Sequence, residues 1–439
     1  SKALDAARAD ARPSMIACRT VIAKGLARLQ GQRGGHSARL FPDDAQAARE
    51  LLNWPHAPFE VPADVLERWR DAGQRSLPAF DAWQARIAGL PQAERAEFER
   101  VMRGELPEDW QEVLQSYKRA AFDKAEGQGG ILISAEINDL LTPVLPERLV
   151  ACADLEAPTS HKRRLTAFTA QDRQGAYVHC GVREHVMGSM ANGMAAHGGV
   201  IPLSVTYLAF SDYQRPAMRM AALMGLPVKF VFSHDSIGIG KNGPTHQAVE
   251  ILASLRALPN MLVMRPADAV EAAECWEIAL AHRTGPVSLV FARQTLPLLQ
   301  ATYSSDNRSR RGAYVLHEAA CGPRQVSLLA TGSEVLIATR AREQLEAAGV
   351  GTAVVSMPSW ELFNQQDADY RSRVLGQDAV RVGVEAAVRL GWDQYLGPRG
   401  GFVGMQGFGA SGPADALYRL FGITPEAVVA QARHLLASS

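Results

Sequence analysis

Between residues 126 and 300, short apolar runs alternate with longer stretches whose apolar positions recur every three to four residues. The runs fall at 148–153, 177–182, 200–205, 228–233, 261–264 and 287–292. They are too short for helices and near-continuously apolar, which predicts strands buried on both faces of a mostly parallel sheet with covering helices. The same grammar returns at 312–439, with runs at 325–330, 352–356 and 380–384. Residues 36–125 show helical spacing instead, at 45–54, 63–72, 82–87 and 94–102, and read as a long helical connector. At the start, a helical stretch, Pro13 and an apolar run over 14–18 resemble the closing unit of another parallel sheet, 1–35, most of which lies outside this sequence. The connector's tryptophans, Trp54, Trp69, Trp83 and Trp110, are expected to pack it onto a neighbouring domain.

A length of 439 residues with 47% hydrophobic positions supports two to four domains with substantial cores. The 46 basic and 46 acidic residues cancel, which argues against nucleic-acid and polybasic membrane partners and leaves small molecules or proteins. Five cysteines without close pairing support neither a zinc site nor a disulfide framework, and fit a reducing, cytoplasmic setting. No apolar run reaches the roughly 18–20 residues that span a bilayer, and the start lacks a signal-peptide pattern. The absence of an initial methionine points to a piece of a longer chain.

Three stretches carry candidate chemistry. In 177–188 a strand runs into a helix with Glu184 at the junction, where a carboxylate is either a helix-capping acid or a functional one. Met187, Met190 and Met194 behind it read as core. Tyr207, Phe210 and Tyr213, three residues apart, are expected on one helix face, as a core cluster or as a stacking wall for a flat heteroaromatic ring. The third stretch, 234–247, contains a formal GxGxxG from Gly238 to Gly243, but Pro244 follows it and no helix opens directly, so a dinucleotide site is disfavoured. His234 and His246 bracketing this loop after a parallel strand suit a polar substrate site, with a plain surface turn as the alternative.

Taken together, Gly181-Val182-Arg183-Glu184, the three aromatics, His234-Asp235-Ser236-Ile237-Gly238, Gly243-Pro244-Thr245-His246-Gln247, Ala292-Arg293-Gln294 and Ala330-Thr331-Gly332-Ser333-Glu334-Val335 resemble transketolase. The resemblance covers nearly the whole chain. It implies an α/β fold: a pyrimidine-binding domain at 126–300 and a C-terminal domain at 312–439, joined through the connector to a remnant of the diphosphate-binding domain. It implies transfer of a two-carbon ketol unit from a ketose phosphate to an aldose phosphate through a thiamine-diphosphate carbanion, with Mg²⁺ as the second cofactor. On this reading Glu184 matches the catalytic glutamate that hydrogen-bonds the pyrimidine N1′, and Phe210 the aromatic stacked on that ring. Tyr207 and Tyr213 flank it, and Asp154 and Leu155 line the cofactor. His234, His246 and, in an altered run, His36 match histidines that handle substrate hydroxyls.

Departures accompany these matches. Arg293 matches one phosphate-binding arginine and Thr159 a phosphate-binding serine, but Ile131 aligns with the other arginine and Asn242 with an aspartate that reads an acceptor hydroxyl. No Gly-Asp-Gly run followed by asparagine, the family's metal and diphosphate clamp, occurs, so metal ligands are expected elsewhere, from the missing domain or an added chain. The resemblance therefore implies sugar-phosphate substrates and a homodimer, or a chain providing the diphosphate-binding domain, with this chain inactive by itself. The competing reading is a non-catalytic homologue that pairs with a complete enzyme. A different thiamine-diphosphate enzyme fits the 330–335 and 355–359 motifs less well.

Overall fold

A computed structural model describes residues 1–438, so Ser439, the last position of the expected C-terminal block, lies outside them. The chain forms two compact units, Ser1–Pro91 and Gln92–Ser439. The first is helical, with Lys2–Ala9, Pro42–Leu51, Ala63–Gln74 and Leu77–Ala88 and a 3₁₀ turn at Arg33–His36. The expected strand over 14–18 does not form: it has no pairing partner among the described residues, and Met15 is exposed. An extended run without a neighbour gains no ladder hydrogen bonds. Trp54, Trp69 and Trp83 are likewise exposed, against expectation, while Trp110 alone of the four is buried.

Among its described residues the second unit contains thirteen strands: β1 Gln128–Gly129, β2 Arg148–Cys152, β3 Tyr177–His179, β4 Ile201–Tyr207, β5 Lys229–Ser233, β6 Leu262–Met264, β7 Val287–Phe291, β8 Thr295–Leu296, β9 Tyr314–His317, β10 Val326–Ala330, β11 Thr352–Ser356, β12 Val380–Val388 and β13 Gly401–Met405. β1 and β8 form a small antiparallel ribbon. Six strands make an all-parallel sheet in the order β3-β2-β4-β5-β7-β6. Alternate residues feed opposite faces, as the pleat requires. Val231 packs with Leu203, Leu289 and Trp276, whereas Phe230 and Phe232 pack with Met218 and Leu252.

The second sheet runs β13-β12-β10-β11-β9, parallel except for the antiparallel edge strand β9, which the apolar runs had not revealed. Leu328 and Ala330 join Val335, Ala338 and Val428 on one face, and Leu329 joins Val355, Trp360 and Trp392 on the other. The two α/β layers anticipated from the alternation are therefore both present.

Candidate active site at the carboxyl ends of the parallel strands

In the six-stranded sheet the chain steps from β2 outward to β3 and then back past β2 to β4. Such a reversal opens a crevice beyond the carboxyl ends of the strands, where ligands of open α/β sheets bind. Asp154 and Leu155 leave β2, Val182 to Val186 follow β3, and Phe210 and Tyr213 follow β4; together they line a cavity of about 600 Å³. Its single buried acid is Glu184, the first residue of the helix Glu184–His197. Unpaired N–H groups and the helix dipole favour a carboxylate there, so the capping and functional readings of Glu184 share one cause. The rest of the lining is largely apolar and aromatic. A flat heteroaromatic ring with one hydrogen-bonding edge fits this combination.

The three aromatics do not share a helix face. Tyr207 is the last residue of β4, paired with Ser233 of β5, while Phe210 closes a 3₁₀ turn and Tyr213 lies in the helix Ser211–Met224. Sheet pairing holds Tyr207 out of the helix that its spacing suggested. The Tyr207 ring stacks on Phe210 at 5.7 Å and lies 3.8 Å from the His234 imidazole. His246 meets Phe210 edge-on at 5.3 Å. The aromatic wall and both histidines thus form one cluster.

His234 follows β5 with φ +61, a left-handed conformation that costs a non-glycine residue on the order of 1 kcal/mol. Its Nδ1 lies 2.7 Å from the Ser233 hydroxyl. Burial, reinforced by the positive charge of Arg293 and by His246, pushes its pKa down to about 4, so the imidazole is neutral at pH 7. The next residue, Asp235, is buried and accepts from Arg265 Nε at 3.0 Å and Nη2 at 2.6 Å. Arg265 also reaches Glu334 at 2.5 Å and the Thr331 carbonyl at 3.0 Å. Glu385 closes the network through Arg256, at 2.9 Å to each guanidinium nitrogen, and Trp392 Nε1 at 2.8 Å. This gives the Thr331-Gly332-Ser333-Glu334 motif a physical reading: Gly332 has φ +57, and a Cβ there would lie 2.6 Å from Arg265 Nε. Gly238 is similarly constrained, since a Cβ would lie 1.6 Å from Gln294 Nε2.

Arg293 is exposed just past β7, and its Nη1 donates to the Ile239 carbonyl at 3.1 Å. Asn242 is exposed in the loop that His234 opens. Thr159 is not available to a ligand in this structure: it is fully buried, and its hydroxyl donates to the Leu155 carbonyl at 2.7 Å, closing its own short helix. Ile131 packs in the core with Ile133 and Trp276. His36 stands exposed on the 3₁₀ turn of the first unit. Arg265, Glu385 and the lining residue Val186 escaped the sequence reading, whereas Asp235, Glu334 and Arg183 entered it only as members of motifs, without these partners. The Gly332 motif was visible, but nothing in its spacing named Arg265 as the group it admits.

Among the described residues no group of three or more His, Cys, Asp or Glu side chains could hold a metal ion, and no helix is long and apolar enough to cross a membrane. A largely apolar and aromatic lining around one buried carboxyl fits the aminopyrimidine half of thiamine diphosphate.

Residues 132–298 match the family described as "Transketolase, pyrimidine binding domain", 312–424 the "Transketolase-like TK C-terminal domain", and 1–107 the "Transketolase, thiamine diphosphate binding domain". A transketolase of Sinorhizobium medicae is 46% identical over 99% of this chain and 62% of its own length. The transketolase structure from Leishmania mexicana superposes with a TM-score of 0.88 at 35% identity, covering 100% of this chain and 64% of that one. The Pichia stipitis transketolase in complex with sedoheptulose-7-phosphate gives 0.89 at 32%, covering 100% and 65%. The chain thus spans a little under two thirds of the length of these relatives. With all three of its domain matches falling in one family and such identity along nearly its whole length, the chain belongs to the transketolase family.

Proposed function

We propose that this chain carries the pyrimidine-binding and substrate-handling part of a transketolase, which moves a two-carbon ketol unit from a ketose phosphate to an aldose phosphate. The observation that carries this reading is the buried Glu184 carboxyl facing an aromatic-lined cavity at the sheet's switch point, beside two histidines and an arginine. Bound thiamine diphosphate supplies a carbon able to accept and release the ketol fragment. When that cofactor is bound, Glu184 would share a proton with the ring nitrogen of the aminopyrimidine, Phe210 would stack on that ring, Tyr207 and Tyr213 would flank it, and Asp154 and Leu155 would border it. His234, neutral at working pH, can accept a hydroxyl proton and return it. His246, edge-on to Phe210, hydrogen-bonds a substrate hydroxyl, and Arg293 holds a phosphate monoester.

Mg²⁺ and the diphosphate are held by residues beyond those described or by a second chain, in a homodimer or a heteromeric complex, so the isolated chain is inactive. Exposed Val182, Val186 and Tyr213 on the cavity lining support a covering partner. The sedoheptulose-7-phosphate complex of the Pichia relative supports sugar phosphates as the substrate class. A cytoplasmic setting suits the five free cysteines.

The test is calorimetric titration with thiamine diphosphate and Mg²⁺, with and without a separately expressed transketolase diphosphate-binding domain. Binding only in its presence supports a site completed by that domain. Binding by the chain alone would overturn the need for it. No binding in either case, with association of the two chains demonstrated, would favour a non-catalytic pairing partner, a reading to which the buried apolar Ile131 lends weight.

A further inference from the structure

Beyond the aromatic cavity lies a second one, of about 440 Å³, where the loop after His234 meets the segment that follows β13. Gly240, Lys241 and Arg293 line it from the first sheet's side, and Ser411, Gly412 and Ala414 from the other. The two walls are fastened together. The Ser411 hydroxyl donates to the Lys241 carbonyl, and Gln247 Nε2 donates to the carbonyls of Gly240 at 3.0 Å and Ala410 at 2.9 Å. Two cations face this space and no acid lines it. Among the described residues, no carboxylate lies within ion-pair distance of Lys241 or Arg293. Three other cations of this unit, Arg256, Arg265 and Lys118, sit against buried acids. A guanidinium fixed by the Ile239 carbonyl and an exposed ammonium without an acid partner around one opening suit a compact dianion, the guanidinium giving direction and the ammonium charge.

We infer that Lys241 is a specificity-determining residue that, with Arg293, clamps the phosphate of a phosphorylated sugar. The inference rests on the transketolase reading for the sugar but not for the phosphate. Asn242, beside Lys241 and uncharged, adds no repulsion to an incoming dianion. Lys241 is exposed and structurally peripheral, so its substitution leaves the fold intact.

The experiment titrates the 439-residue chain with ribose 5-phosphate, inorganic phosphate and ribose, for wild type and the variants Lys241→Ala, Lys241→Glu and Lys241→Arg, with melting curves as the folding control. Lys241→Ala should weaken ribose 5-phosphate about tenfold, Lys241→Glu should abolish its binding, Lys241→Arg should stay within about threefold of wild type, and ribose should be insensitive to all three. Equal losses with inorganic phosphate support recognition through the phosphate alone; a loss confined to ribose 5-phosphate supports recognition of the sugar phosphate as a unit. Undiminished binding by Lys241→Ala overturns the assignment, as does an equal loss with ribose. None of these readouts involves thiamine diphosphate, so a failed cofactor titration and a failed phosphate titration remain separate results.

Discussion

The imidazole of His234 and the ring of Tyr207 lie 3.8 Å apart, centroid to centroid, although they belong to the ends of different strands. Burial, to which this contact contributes, together with the positive charge of Arg293 and with His246, pushes the His234 pKa down to about 4. An NMR titration of His234 should show that low midpoint. In Tyr207→Ala the midpoint should rise toward 6.5 as water enters, and in Tyr207→Phe it should stay low. The unfolded chain takes up this proton at higher pH than the folded one. The His234 contribution to stability is therefore intact above about pH 6.5 and is lost as pH falls toward 4. A wild-type midpoint near 6.5 would remove the basis for a neutral, proton-accepting His234.

Glu184→Gln keeps the shape of the helix start but cannot give up or take a carboxyl proton. In the assembled enzyme, transfer should fall by about two orders of magnitude or more, while calorimetric affinity for thiamine diphosphate changes by less than about tenfold. Near-wild-type turnover would defeat the proposed role.

Arg265 is enclosed by Asp235, Glu334 and Glu385, all buried. Replacing it with methionine leaves these carboxylates without their common cation. Urea unfolding should show a loss of about 3–5 kcal/mol, with Arg265→Lys recovering part of it. An unchanged midpoint would mean that the network contributes nothing to stability.

Burial pushes the Glu271 carboxyl up to about 7, with the charge of Asp268 adding to the effect, where it accepts from the Tyr314 and Ser356 hydroxyls at 2.6 Å each. The folded state holds this proton more tightly than the unfolded one. Stability should therefore fall as pH rises from about 4.5 to 7, at up to about 1.4 kcal/mol per pH unit. Glu271→Gln should flatten that slope in unfolding curves taken between pH 5 and 7.5. A slope the same in both proteins would count against Glu271 as its source.

Ile131→Arg tests the alignment with the family's second arginine against the packing. The side chain is 3% exposed among core residues, so a guanidinium there must either displace its neighbours or be buried. A loss of about 2–4 kcal/mol in denaturant unfolding is expected. Wild-type stability together with tighter phosphate binding would show instead that the start of the helix Gly130–Leu141 opens readily.

What the sequence disclosed and what it concealed divide along physical lines. Most of the six parallel strands were legible because burial on both faces writes them as apolar runs, as in β4, β5, β6 and β7; the edge strand β9, with only its first residue fully buried, was not. Glu184 and His234 could be placed just past strand ends, and His246 in the loop that follows, because turns and helix starts carry local signals. Tyr207 was misassigned to a helix because its pairing with Ser233, 26 positions away, leaves no trace in local spacing. The run at 14–18 has strand composition but lacks a neighbour, and composition alone does not provide one. Arg265 was hidden for a related reason, since charged residues read as surface until their partners, 30 to 120 positions distant, are brought together.

The ring of charges around Arg265 has a consequence for chimeras. The C-terminal α/β layer contributes none of the residues assigned to the aminopyrimidine, yet it provides the Thr331 carbonyl after β10, Glu334 at the start of the following helix and Glu385 in β12, which anchor the arginine paired with Asp235 beside His234. Exchanging residues 312–438 for the corresponding part of a relative would import a new set of counter-charges along with the new surface. Such hybrids should function only when the donor sequence also satisfies Arg265, so compatibility across that seam, more than overall likeness, will decide which recombinations survive.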